Sequence, residues 1–205
     1  MVDLLVELLA AGTSPERAAA ALGALAKLAD PRGLEALALY SVHRRPELRR
    51  EAVKALAALS DARVVPPLLD RLGDDSVDVR AAAATALADR HEARAVPRLL
   101  RLVRRGDLGA AAPLGRLAPL ETLVELRQQQ GGIKDEVLAT ALGSSLRRED
   151  IGDGVRIDTL RAIAKLHGAE ATAAIADYLA SIPAHDNRAS RREAQQLLDQ
   201  RGGER

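Results

Sequence analysis

The chain has 205 residues, of which 30 are Lys or Arg and 29 are Asp or Glu, for a formal net charge of +1. That balance supplies no global attraction for nucleic acid or for an anionic membrane. Hydrophobic residues reach 47% while aromatics are 1%, with no Phe, Trp or Cys. The core must therefore be Leu, Val, Ile and Ala; base-stacking platforms are scarce; disulfides, Cys-based metal sites and thiol chemistry are excluded.

Helix signals run the length of the chain, and no segment reads as a convincing strand. The first helix spans about Val2 to Ala11 and stops at Gly12. It carries two acids among its apolar residues, has no basic leader and is too short to cross a bilayer. Ser14 followed by Pro15 caps and starts the second helix, to Ala29. Asp30-Pro31 repeats the device and opens a helix to about His43. Arg45-Pro46-Glu47 opens the next, to Leu59. Asp61 begins another pair, with Pro66 and Pro67 in a first turn, where a missing N–H costs little. Asp74-Asp75-Ser76 caps a helix from Val77 to Asp89, and Ala93 to Arg105 follows.

Beyond Gly106 the pattern decays as far as Asp150, where Gly109, Pro113, Gly115 and Pro119 break up what should be a helix pair. Leu120–Arg127 and Lys134–Leu146 keep helical spacing around a Gln128–Gly132 loop. Glu149–Gly154 reads as a turn with Asp153 as a helix cap. A last helix, about Ser190 to Gln200, is rich in Arg and Gln, as suits a solvent-facing end, and residues 201–205 should be frayed.

A period organises these elements. From Asp30, a 31-residue segment returns almost in register. Asp30, Asp61 and Glu92 open successive copies, and Arg32, Arg63 and Arg94 follow two residues later. Leu37, Leu68 and Leu99 align, as do Leu48-Arg49 with Val79-Arg80, Ala52 with Ala83, and Leu56 with Leu87. Val155-Arg156 continues the series at an offset of 107 from Leu48-Arg49. Tyr40, Arg71 and Tyr178 share one repeat position. A fixed period of this length denotes stacked helical hairpins, each burying its apolar edge against the next. The expected fold is all-α: an α-solenoid of stacked antiparallel helix pairs, one repeat domain over 1–205, regular over 14–105, degenerate over 106–150 and resumed over 151–200.

The runs Asp61–Leu69, Asp74–Arg80, Ala82–Leu87 and Glu92–Leu100 resemble HEAT repeats, specifically the short bacterial PBS-lyase HEAT-like subtype. The resemblance is specific over about Ser14–Arg105 and weaker over Val155–Leu179. It implies pairs with an outer A helix and an inner B helix, wound into a right-handed superhelix. It also implies that the Arg of each Val-Arg step, here Arg49, Arg80 and Arg156, ties neighbouring repeats through turn acids, with Asp30, Asp61 and Glu92 as candidate acceptors. Arg suits such pairs because its fork meets a carboxylate with two N–H groups.

Chemistry-bearing constellations are sparse. His43, His91, His167 and His185 are never three or four apart and read as turn residues. Gly131-Gly132 and Ser144-Ser145 lack the surroundings of a phosphate loop or a nucleophile elbow. The pairs Arg44-Arg45, Arg49-Arg50, Arg104-Arg105, Arg147-Arg148 and Arg191-Arg192 are either solvated helix ends or a phosphate-binding edge. No cofactor, metal site or catalytic residue is expected. On the B helices, positions pointing away from both neighbours fall at Arg50, Lys54, Ala81, Thr85, Asp89, Arg161 and Lys165. They outline a groove with small residues near Ala81 and Thr85 that would admit a partner helix or extended peptide.

The expected role is a non-catalytic protein–protein interaction module, scaffold or adaptor, as a monomer or as one domain of a larger protein. It would be cytoplasmic, and arginine over lysine with abundant alanine suggests a GC-rich bacterial genome. Nucleic acid and membrane are not expected partners. Two alternatives follow from fold relatives: a nucleic-acid-binding protein with a DNA glycosylase-like fold, and a bilin lyase-like subunit or chaperone.

Overall fold

The computed structural model describes residues 1–203. The expected fraying at Glu204 and Arg205 lies outside the described residues, while Arg201 to Gly203 belong to the last helix. Thirteen α-helices occur among the described residues, with no strand beyond a lone parallel bridge between Gln130 and Ile133. The chain divides into two units, Met1–Ala95 and Val96–Arg205. Among the described residues no helix is long and apolar enough to cross a membrane.

The first unit holds α1 (Val2–Ala10), α2 (Pro15–Leu28), α3 (Leu34–Tyr40), α4 (Pro46–Ala58), α5 (Val65–Arg71) and α6 (Val77–Asp89). Helices α2, α4 and α6 pack successively, while α1, α3 and α5 each back the helix that follows them. The repeat residues are the contact residues. Ala21, Ala52 and Ala83 are buried, as are Leu25, Leu56 and Leu87, and Leu37 and Leu68 are fully enclosed. Burying one such Leu contributes about 1.5–3 kcal/mol, so conserving the period conserves the stack's main stabilising term.

Each copy enters its first helix through a 3₁₀ turn that the sequence pattern does not reveal. The turns are Pro31–Gly33, Ala62–Val64 and Ala93–Ala95. The carboxylate of Asp30 accepts the Arg32 backbone N–H at 2.9 Å, Asp61 accepts that of Arg63 at 2.8 Å, and Glu92 accepts that of Arg94 at 3.2 Å. For the two aspartates this two-residue reach is the Asx-turn habit, and Glu92 makes the same contact with a longer side chain. The turn delays the start of α3 to Leu34, and the helix ends at Tyr40, short of the expected His43.

The second unit holds α7 (Val96–Arg104), α8 (Ala111–Leu117), α9 (Leu120–Arg127), α10 (Asp135–Ser145), α11 (Asp153–Ala164), α12 (Ala169–Ala180) and α13 (Ala189–Gly203). Here α8, α10 and α12 pack successively, and α11 packs on α13. Gly115 and Pro113 do not break a helix, contrary to the sequence reading. Pro113 sits in the first turn of α8, where its missing N–H is harmless. Gly115 lets α8 approach α10 so closely that a Cβ there would collide with the Ala141 carbonyl and the Ser144 hydroxyl. Gly143 does the same between α10 and α12, its Cβ position lying 2.7 Å from that of Ala174. Asp153 caps a helix, but a distant one: it accepts the Ser190 backbone N–H at 3.1 Å, at the start of α13.

Candidate functional site

Five of the seven sequence-predicted groove residues line one open cleft in the first unit. Arg50 and Lys54 stand on α4; Ala81, Thr85 and Asp89 stand on α6; Ala57, Asp78, Ala82 and Ala86 complete the wall. The cleft has a volume near 480 Å³. Helix periodicity explains the convergence: positions three and four apart share a face, so Arg50 and Lys54 follow one edge, and Ala81, Thr85 and Asp89 the facing one.

The floor is alanine, which permits a close approach of backbone. The rims are charged and opposite in sign: Arg50 and Lys54 against Asp78 and Asp89. Lys54 Nζ lies 3.0 Å from Glu51 Oε1, and Arg50 Nη1 lies 3.6 Å from Asp78 Oδ2. Both pairs are solvent-accessible, and exposed pairs are worth about 0–1 kcal/mol, so a partner can displace them at little cost.

The other two predicted groove residues lie in the second unit, Arg161 on α11 and Lys165 just past its C-terminus. Arg161 is engaged by α13, with Nε 2.8 Å from Glu193 Oε1 and Nη2 3.3 Å from Oε2. It therefore does not point away from both neighbours as expected. Lys165 borders a different hollow, near 640 Å³, with Leu166, His167, Thr172, Leu198 and Arg201.

The Val-Arg arginines share one local job. Arg49 Nη1 donates to the carbonyls of His43 and Arg44 at 3.0 and 3.2 Å. Arg80 Nη1 donates to those of Asp74 and Asp75 at 2.8 and 3.0 Å. Arg156 donates to those of Leu146 and Arg148 at 3.0 and 2.5 Å. Each folds back onto the turn before its own helix and closes it.

Their expected acceptors are otherwise engaged. Asp30, Asp61 and Glu92 hold Arg32, Arg63 and Arg94 at 2.8, 2.7 and 2.7 Å. These guanidiniums and turn N–H groups hold all three carboxyls below their ordinary range. Asp74 does tie two turns: it is gripped by Arg49 through Nε at 2.8 Å and Nη2 at 2.6 Å, with its side chain only 3% exposed. Burial pushes the Asp74 carboxyl up, but Arg49 and the Ser76 N–H together bring it below its ordinary value.

A second set of contacts was missed from sequence. Tyr40 Oη donates to the Leu9 carbonyl at 3.0 Å, and Arg71 Nη1 donates to the Ser41 carbonyl at 3.2 Å. Arg90 reaches the carbonyls of Ala57 and Leu59. Arg148 reaches those of Gly115 and Ala118, and Arg201 those of Ala164 and Leu166. Each is a side chain from one helix end satisfying the orphan carbonyls of an earlier helix end. The shared repeat position of Tyr40 and Arg71 was the available signal. Arg148 is accordingly no solvated end, being 15% exposed.

The histidines stay in turns. His43 stacks on Tyr40 with ring centroids 5.5 Å apart, and His167 Nδ1 lies 3.1 Å from Asp135 Oδ2. No group of three potential metal ligands occurs among the described residues.

Stacked hairpins with this period and these turn acids define an α-helical repeat protein. The family model of HEAT repeats matches residues 2–88 and 37–112, more than half of the chain. The chain belongs to the HEAT-repeat family. Among solved structures, the complex of CpcE and CpcF of phycocyanin lyase from Nostoc sp. PCC7120 matches over 98% of this chain and 94% of its own, with TM-score 0.52 and 18% identity. A designed armadillo repeat protein matches over 97% and 99%, with TM-score 0.48 and 18% identity. An engineered protein matches over 98% and 96%, with TM-score 0.46 and 23% identity. Among curated proteins, none matches the chain in sequence. Identity this low carries the fold, an all-α solenoid, and nothing finer.

Proposed function

We propose that the chain is a non-catalytic protein–protein interaction module whose α4–α6 cleft receives a helix or extended peptide of a partner protein. The observation that carries this reading is the cleft: an alanine floor between a basic and an acidic rim, formed by Arg50, Lys54, Asp78, Ala81, Thr85 and Asp89. Such a surface holds backbone close and orients it by charge. The matching segment presents small side chains to the floor, an acid toward Arg50 and Lys54, and a base toward Asp78 and Asp89.

A photo-crosslinking residue at Thr85 tests the reading in an extract of the native host. Crosslinks to a partner that Lys54→Glu abolishes support it. Crosslinks that are indifferent to Lys54→Glu, or equal to those from a probe at exposed Arg192, contradict it. A bilin lyase-like subunit is a second reading, supported by likeness in fold to the phycocyanin lyase complex. A shift in bilin absorbance on mixing would favour it.

A further inference from the structure

From Ala93 to Gly106 the chain carries five arginines and no acid, in a molecule whose charges nearly balance overall. Four of the five, Arg98, Arg101, Arg104 and Arg105, lie on or at the end of α7, and all four are exposed. Arg104 is held by Glu125 on α9. The guanidinium groups of Arg101 and Arg105 have no hydrogen-bond or ion-pair partner among the described residues, and both side chains are exposed. The stem of Lys134 passes 3.7 Å from the Cβ position of Gly106, which adds a cation beside Arg105. Among the acids on neighbouring segments, Glu125 is already paired and the Asp107 carboxylate accepts the Gly109 N–H at 3.0 Å.

We propose that this face of α7 is a docking surface for an acidic peptide segment, distinct in residues from the α4–α6 cleft. Its chemistry and spacing fit that occupant. Guanidinium groups pair with carboxylates through two parallel N–H bonds. The Arg105 N–H donates to the Arg101 carbonyl at 3.3 Å, continuing the helical geometry one residue past α7, so the two stand about 6 Å apart along its axis. Alternate side chains of an extended strand are about 7 Å apart, so Glu residues two apart meet both guanidiniums. Nucleic acid fits less well. Its affinity grows with the number of neutralised phosphates and with aromatic stacking. Here the basic run is one helix long, and the chain's two tyrosines are Tyr40, stacked on His43, and the buried Tyr178.

The test is fluorescence anisotropy of a labelled peptide of alternating Glu and Ser against the full chain, in low and then raised salt. A labelled DNA duplex and vesicles rich in phosphatidylserine serve as rival probes. The peptide is expected to bind at low salt and to weaken as salt rises past about 0.1 M, where the screening length falls to about 10 Å. Arg101→Gln with Arg105→Gln is expected to weaken it about tenfold, with an unchanged helical signal and melting temperature. Lys54→Glu in the cleft leaves it unchanged, which separates this surface from the proposed function. Absence of peptide binding, indifference to the double substitution in a folded protein, or tighter binding of DNA or vesicles overturns the proposal.

Discussion

At the residue scale, Asp74 is the most consequential charge in the first unit. Its carboxylate takes two N–H bonds from Arg49 and one from the Ser76 backbone, and almost none of it meets solvent. Breaking a buried pair costs more than the pair contributes, because it strands a charge. Asp74→Ala is expected to cost about 3 kcal/mol in urea unfolding, while a substitution at exposed Asp75 stays within about 0.5 kcal/mol. The pH dependence follows the same group. Its folded-state carboxyl lies below the ordinary value of 3.8, so it stabilises the fold fully above that value. That stability is lost as pH falls below 3.8 through the lowered folded value, because the unfolded chain binds the proton first. Acid unfolding monitored by circular dichroism is expected to lose part of its slope in that window in Asp74→Ala. Asp74 was not legible in the repeat: one period away the chain has His43 on one side and Arg105 on the other, so no acid recurs to mark it.

At the scale of elements, what the period displayed was packing. Ala21, Ala52 and Ala83 recur because α2, α4 and α6 meet along them, and Leu25, Leu56 and Leu87 because they fill the space between. The five groove residues of the first unit were legible for the same reason, since whatever is not contact on a regular stack faces outward. Arg161 was not, because α11 meets α13, which breaks the 31-residue offset and brings Glu193 alongside. Gly115 misled for a related reason. A glycine in a helix reads as a breaker by propensity, yet here it is the contact point of α8 with α10. Gly115→Ala is expected to lower stability by about 2–3 kcal/mol, since its Cβ would lie 1.9 Å from a backbone carbonyl oxygen, and Gly143→Ala by about 1–2 kcal/mol, since its Cβ would meet the backbone-fixed Cβ of Ala174 at a less severe 2.7 Å. Thermal melts of the two variants decide the order. Arg90 is a separate device, closing the carbonyl end of α4 from α6. Arg90→Ala is expected to cost about 1–2 kcal/mol and to speed amide exchange at the C-terminal turn of α4 more than elsewhere.

At the scale of the whole molecule, each unit is a stack in which helices touch chiefly their neighbours in the series. Stability in such a stack is a sum of local terms and nearest-neighbour contacts, so the middle outlasts the ends. Amide exchange is expected to be slowest in α4, enclosed by α2, α3 and α6, and in α10, enclosed by α8, α11 and α12. The same architecture leaves one face of the packed helices open along the stack, and the cleft between α4 and α6 is part of that face.

The most direct measurement is a paired one on Lys54→Glu: the unfolding midpoint in urea, and the yield of partner crosslinked from Thr85. The account predicts an unchanged midpoint, since Lys54 is exposed and its pair with Glu51 contributes little, together with loss of the crosslinked partner. An unchanged yield at an unchanged midpoint would contradict it, because the cleft would then be solvent-facing surface with no occupant.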